Sequence, residues 1–153
     1  MTILLKPIAL TGPMGCGKSS IGKILNKKLK CKFMDTDDKI VDEVGLGIPE
    51  IFQRFGESYF RCKEEEFILN VNPETSIVLA TGGGAITSLK VRNFLRKNFF
   101  TIYLMSDIET LWARVSRNIH NRPLINDKDG KKKLEKILAQ RSRYYSQADL
   151  TVE

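Results

Sequence analysis

The sequence predicts an α/β domain built on a parallel sheet with helices on both faces. Three observations lead there. Short apolar runs at 8–10, 77–80 and 99–104 alternate with segments whose apolar residues recur at helical spacing. A glycine-rich stretch at 12–19 joins the first run to the first helical segment. Unusual residues stand directly after the strands, at 35–37 and 81–84, and in open parallel sheets ligands bind beyond the carboxyl ends of the strands.

Taken in order, strand one covers about 7–11, and a helix follows over about 18–30 with Ile21, Ile24, Leu25 and Leu29 on one face. Phe33-Met34 reads as a short second strand. Helical patterns then run from 38 to 70, broken near Gly45-Leu46-Gly47 and at Gly56, with Pro49 suited to a first helical turn. Strand three is 77–80, followed by a helix over 88–97, and strand four is 99–104. The next helix, 107–118, carries Ile108, Leu111, Trp112, Val115 and Ile119 on one face. A polar stretch from 118 to 130 reads as a long loop of the kind that forms lids. A last helix over 131–147 precedes a fifth strand at 150–152. No repeat or low-complexity segment is present, so 1–153 reads as a single domain.

Composition narrows the function. The chain of 153 residues is 42% hydrophobic and 28% charged, ordinary for a globular protein with its own core. Three cysteines, Cys16, Cys31 and Cys62, show no C-x-x-C spacing, which predicts free thiols and a reducing cytoplasm. No segment reads as a membrane span or signal peptide. One histidine, His120, excludes multi-histidine metal sites. The net charge of +7 admits a basic, non-enzymatic nucleic-acid binder as an alternative, but no aromatic residues interleave with the lysine clusters at 27–30 and 131–133. No nucleic acid or membrane partner is expected, and a monomer is.

The strongest motif is Gly-Pro-Met-Gly-Cys-Gly-Lys-Ser at 12–19, the pattern G-x-x-x-x-G-K-[ST]. Glycines let the backbone curl so that N–H groups point at phosphate oxygens, Lys18 reaches the β- and γ-phosphates, and Ser19 can ligate Mg²⁺. The nucleotide-binding set is therefore Gly15, Cys16, Gly17, Lys18, Ser19 and Ser20. Asp35 and Asp37, two apart at a strand end, point the same way; one could hold Mg²⁺ and the other orient a hydroxyl or accept its proton. The competing reading is helix capping by Asp37 or Thr36. Gly82-Gly83-Gly84 lets a ligand approach the backbone, or simply makes a turn. Arg61 has Glu64 and Glu65 at i+3 and i+4, and from spacing alone reads as a surface ion pair. Arg141 lies on the apolar stripe of Leu134, Leu138 and Tyr145, where an arginine meets an anion or snorkels to the edge. Arg122, in the polar loop, would neutralise phosphoryl charge on closure. Arg114 and Arg117 could stack on a purine. A GTPase is disfavoured, because no N-K-x-D motif is present.

Together these pieces resemble the shikimate kinase family. The resemblance rests on 12–19, on Phe-Met-Asp-Thr-Asp at 33–37, on the run from Ile51 to Arg61, on Thr-Gly-Gly-Gly at 81–84, on Arg-Pro-Leu at 122–124 and on Arg141-x-x-Tyr-Tyr. It implies the three-layer P-loop NTPase fold, with a five-stranded parallel sheet and a mobile lid at about 118–130. It implies transfer of the ATP γ-phosphoryl group to the 3-hydroxyl of shikimate, with ATP and Mg²⁺ as cofactors, in chorismate biosynthesis. The implied roles are residue by residue. Ser19 and Asp35 serve Mg²⁺. Asp37 holds and activates the hydroxyl. Arg61 and Arg141 clamp the carboxylate, with Gly82 and Gly83 beside the substrate. Lys18 and Arg122 stabilise the transferring phosphoryl, and Arg117 serves the adenine. The family pattern continues beyond the fifth strand into a loop that contributes to the adenine pocket and a final helix, whereas this sequence runs to Glu153. A kinase for another small polyol acid is the near alternative; paired arginines favour a carboxylate.

Overall fold

A computed structural model describes residues 5–153. Five strands form one sheet: β1 (Ile8–Thr11), β2 (Lys32–Asp35), β3 (Ile77–Ala80), β4 (Phe100–Leu104) and β5 (Leu150–Val152). Their order is β2-β3-β1-β4-β5, and every pairing is parallel. Seven α-helices connect them: α1 (Lys18–Leu29), α2 (Thr36–Val44), α3 (Ile48–Phe55), α4 (Glu57–Leu69), α5 (Leu89–Asn98), α6 (Ile108–Val115) and α7 (Gly130–Tyr145).

The alternation of side chains along a strand explains both layers. Ala9, Leu79 and Tyr103 pack with α5, with Ile68 of α4 and with Tyr145 of α7. Leu10 and Val78 point the other way and pack with Leu25 and Leu29 of α1. A third cluster joins Leu104 to Leu111 and Val115 of α6 and Leu134 of α7. The breaks in the 38–70 segment fall at glycines as the sequence predicts. Gly45, with φ of 76°, closes α2, and Gly56, with φ of 84°, separates α3 from α4. Pro49 sits in the first turn of α3.

Two expectations are corrected. The apolar face assigned to the first helix is rotated: Leu25 and Leu29 pack inward, but Ile21 and Ile24 are 38% and 50% exposed. Gly22 is the buried residue of α1 instead, because a Cβ there would strike the ring of Phe33. The polar stretch 118–130 is also not wholly irregular. A 3-10 segment, Ser116–Asn121, follows α6 directly, so α6 ends at Val115 rather than near 118. Beyond it, Ile125 is fully buried in the cluster shared by α6 and α7, and Gly130 opens α7 against Trp112.

Candidate active site

The loop after β1 needs glycine at three places. Gly12, Gly15 and Gly17 have φ of 141°, 82° and 97°, a region other residues rarely adopt. No side chain caps α1, so its first N–H groups remain available to an anion. Lys18 Nζ is held over the loop by the carbonyls of Gly12 at 2.8 Å and Pro13 at 2.9 Å. A groove of about 540 Å³ opens here, lined by Gly15, Cys16, Gly17, Lys18, Ser19 and Ser20.

The carboxylates after β2 divide their work. Asp35, not Asp37 or Thr36, caps α2: its Oδ1 accepts from the Asp37 N–H at 3.0 Å. Its Oδ2 accepts from the Ser19 hydroxyl. Thr36 is buried, and its hydroxyl accepts from the Gly82 N–H at 2.8 Å. Asp37 is thereby freed from capping. Its Oδ1 is buried and has no hydrogen-bond partner.

A smaller cavity of about 70 Å³ lies beyond Asp37. Its polar lining includes Arg61, Glu64, Arg122 and Arg141; Ile48 and Phe52 of α3 and Phe60 of α4 supply apolar wall. Arg61 donates to Glu64 at 2.8 Å and lies 3.4 Å from Glu57. The expected surface pair is therefore half right. Glu64 is 1% exposed and Glu57 is the outer partner, while Glu65 turns away to accept from the Ser88 hydroxyl. Each glycine of 82–84 makes room for something specific. A Cβ on Gly82 would strike Glu64 Oε2, and one on Gly84 would strike the Arg61 guanidinium. A Cβ on Gly83 would stand 3.2 Å from the Met14 nitrogen of the phosphate loop.

Arg141 is 9% exposed at the back of this cavity, as the stripe on the last helix predicts. One turn on, the Tyr145 hydroxyl donates to the Gly83 carbonyl, and burial pushes that phenol up to about 12 with Arg141 pulling against it. Arg122 lines both cavities from the lid, and its Nε is buried without a partner. Arg117 is not brought to either cavity. It is exposed on the 3-10 segment, and Arg114 occupies the groove instead, donating to the Gly15 carbonyl at 3.1 Å. Sequence reasoning also missed Glu64 and Tyr145 as site groups. Their local signals, a carboxylate three residues from Arg61 and a tyrosine one turn beyond Arg141, look structural until the sheet topology joins them.

Electrostatics fit an anion-handling site. Burial pushes the Asp37 carboxyl above its ordinary value and Asp35 adds to it, while Lys18, Arg122 and Arg61 oppose. Burial also raises Glu64, against Arg61. A carboxyl whose pKa is raised in the fold binds its proton more tightly folded than unfolded, so the contribution of these two groups to stability is greatest below the ordinary carboxylate range of about 4. It then falls as pH rises through the raised folded values. Denaturant titrations of Asp37→Asn and Glu64→Gln should show a shallower fall over that window; a slope equal to the parent's would remove these groups from the linkage.

Ser19 and Asp35 present hard oxygen donors at the mouth of the larger groove, which suits Mg²⁺ held mainly by phosphates and water. No cluster of three or more His, Cys, Asp or Glu that could cage a metal exists among the described residues.

Known proteins resemble this chain over nearly its whole length. The profile described as shikimate kinase matches residues 14–153. A shikimate kinase of Francisella tularensis subsp. novicida is 43% identical over 153 residues, 99% of this chain and 86% of that protein. One from Pseudomonas syringae pv. syringae is 39% identical over 150 residues, 97% of this chain and 87% of its own. Among solved structures, shikimate kinase from Acinetobacter baumannii in complex with shikimate superposes with a TM-score of 0.92 at 36% identity, over 99% of this chain and 84% of that one. The deoxyadenosine kinase of M. mycoides, at 13% identity and a TM-score of 0.58, shares the fold alone. The profile match over residues 14–153 and relatives 43% and 39% identical over 99% and 97% of this chain show that the chain belongs to the shikimate kinase family.

Proposed function

We infer that this chain transfers the γ-phosphoryl group of ATP to the 3-hydroxyl of shikimate, giving 3-phosphoshikimate and ADP, a step in chorismate biosynthesis. One observation carries the reading beyond family membership. The larger groove and the smaller cavity share a wall of Met14, Asp37, Gly82, Gly83 and Arg122. A donor phosphate in the one and an acceptor hydroxyl in the other would meet across that wall.

In this reading Lys18 and the loop N–H groups hold the donor phosphates. Asp37 Oδ1, without a protein partner, accepts a hydrogen bond from the acceptor hydroxyl. The hydroxyl oxygen bonds to the γ-phosphorus as the bond to the bridging oxygen of ADP breaks, and its proton passes to Asp37. Arg122, with its buried unpaired Nε, meets the charge on the transferring group. Arg61 and Arg141 clamp the acceptor carboxylate. Ser19 and Asp35 would hold Mg²⁺, which neutralises phosphate charge when bound.

The acceptor cavity, about 70 Å³ against about 540 Å³ for the groove, is too small for a second nucleotide. Cys16, Cys31 and Cys62 are all free, which suits a reducing cytoplasm, and no described helix is long and apolar enough to cross a membrane.

A coupled ADP-release assay over a panel of hydroxy acids tests the assignment. Shikimate should be turned over at least about 100-fold better, by kcat/KM, than analogues lacking the carboxylate, since a site built for a charged group rejects its absence strongly. Equal turnover of a neutral polyol would overturn it. Within the same assay, Arg141→Ala should raise the KM for shikimate about 10- to 100-fold, the loss of one charge-assisted contact, with a smaller change in kcat. An unchanged KM would assign Arg141 to another anion.

A further inference from the structure

We propose that the cleft between α5 and the end of α7 binds a small aryl carboxylate and is coupled to the acceptor cavity through Tyr145. The cleft encloses about 230 Å³ and lies outside both chambers already described. It exceeds the roughly 150 Å³ of an apolar cavity known to accept benzene, so one aromatic ring fits with room for an acidic group.

Its walls choose the ligand. Ile86, Leu95, Tyr144 and Tyr145 supply apolar and aromatic surface, and Leu95 and Tyr145 are 1% exposed, so the floor is firm. Tyr144 is held between two guanidinium groups, Arg92 at 4.1 Å and Arg143 at 4.7 Å from its ring centre. Arg92 is pinned further by bonds to the carbonyls of Ile86 at 2.9 Å and Thr87 at 3.0 Å. Arg92 and Arg96 both line the cleft, and among the described residues neither has a carboxylate partner. The nearby acid, Asp149, is committed to the N–H and hydroxyl of Thr101, and Glu65 is engaged by Ser88 and Lys90. Two arginines on one side and a ring-lined floor match a carboxylate joined to an aromatic ring.

The coupling runs through one side chain. The Tyr145 ring is floor to this cleft and stacks on Tyr103 at 5.2 Å, while its hydroxyl holds the Gly83 carbonyl in the wall between donor and acceptor chambers. A ligand filling the cleft beside Tyr144 braces the buried Tyr145 beneath it in the position that makes the Tyr145–Gly83 bond. By linkage, it then favours a substrate that binds the same state. The coupling rests on the acceptor reading above; the binding does not.

Phenylacetate is the probe, with 2-phenylethanol as its uncharged counterpart. Calorimetric titration of the protein alone should show saturable phenylacetate binding with a Kd of about 1 mM or tighter, and binding of the alcohol weaker by roughly tenfold or more. Arg96→Ala and Leu89→Glu are exposed changes at the cleft, away from the catalytic groups. Each should weaken phenylacetate roughly tenfold while leaving basal turnover unchanged. Saturating phenylacetate should lower the KM for shikimate about fivefold, at the low end of allosteric couplings. Absence of saturable binding, or binding indifferent to both variants, overturns the site. Binding with an unchanged or raised KM overturns the link through Tyr145. Failure to turn over shikimate at all would refute the acceptor assignment, and the calorimetric result would still be read.

Discussion

Lys18→Met is expected to abolish phosphoryl transfer, with kcat/KM lowered at least about 1,000-fold in the ADP-release assay. Lys18 Nζ is held over the phosphate loop by two of its carbonyls, at 2.8 and 2.9 Å, so the cation stands at the loop that takes the donor phosphates. Methionine keeps much of the side-chain length and loses both the charge and the donors. Lys18 is only half-buried, so the fold should survive, and an unchanged thermal midpoint would confirm that loss of activity is chemical. Turnover near that of the parent would remove Lys18 from the reaction.

Asp37→Asn should act in two opposite directions. Turnover should fall about 100- to 10,000-fold, the range for loss of a positioned proton acceptor, while nucleotide still binds because the loop is intact. Stability at neutral pH should rise, because burial and Asp35 both disfavour the Asp37 charge and asparagine has none to bury. A less active, more stable variant is hard to explain by misfolding. Unchanged turnover would leave Asp37 a structural group; lower stability would mean that its cations outweigh its burial.

The architecture was legible because each strand is short, apolar and followed by a residue with a mechanical reason to be there. Glycines at 12, 45 and 56 and Pro49 marked real boundaries, and Leu134, Leu138, Arg141 and Tyr145 kept their common stripe. What stayed hidden depends on contacts between distant segments. Periodicity gave α1 an apolar face, but the close approach of Gly22 to Phe33 decides which side meets the sheet, and that left Ile21 and Ile24 outside. The resemblance assigned the adenine to Arg117, yet α6 ends at Val115, and Asn118, at φ −139° and ψ 41°, breaks the regular turn beyond it. Glu64 looked like one half of a local pair. Only the packing of α4 beneath Gly82 shows it to be a buried carboxylate facing the site.

The shared wall has a consequence for how such an enzyme can change over time. Ile48, Phe52, Phe60 and Arg61 border only the acceptor side, and Gly15 to Ser20 with Arg114 border only the donor side. Drift among the first group would retune which small molecule is accepted and leave the grip on the nucleotide untouched. The five residues of the partition have no such freedom, because an altered side chain there is felt in both rooms at once. Innovation in acceptor choice should therefore enter through α3 and the start of α4, and a directed-evolution library confined to those helices would sample new acceptors without losing the donor.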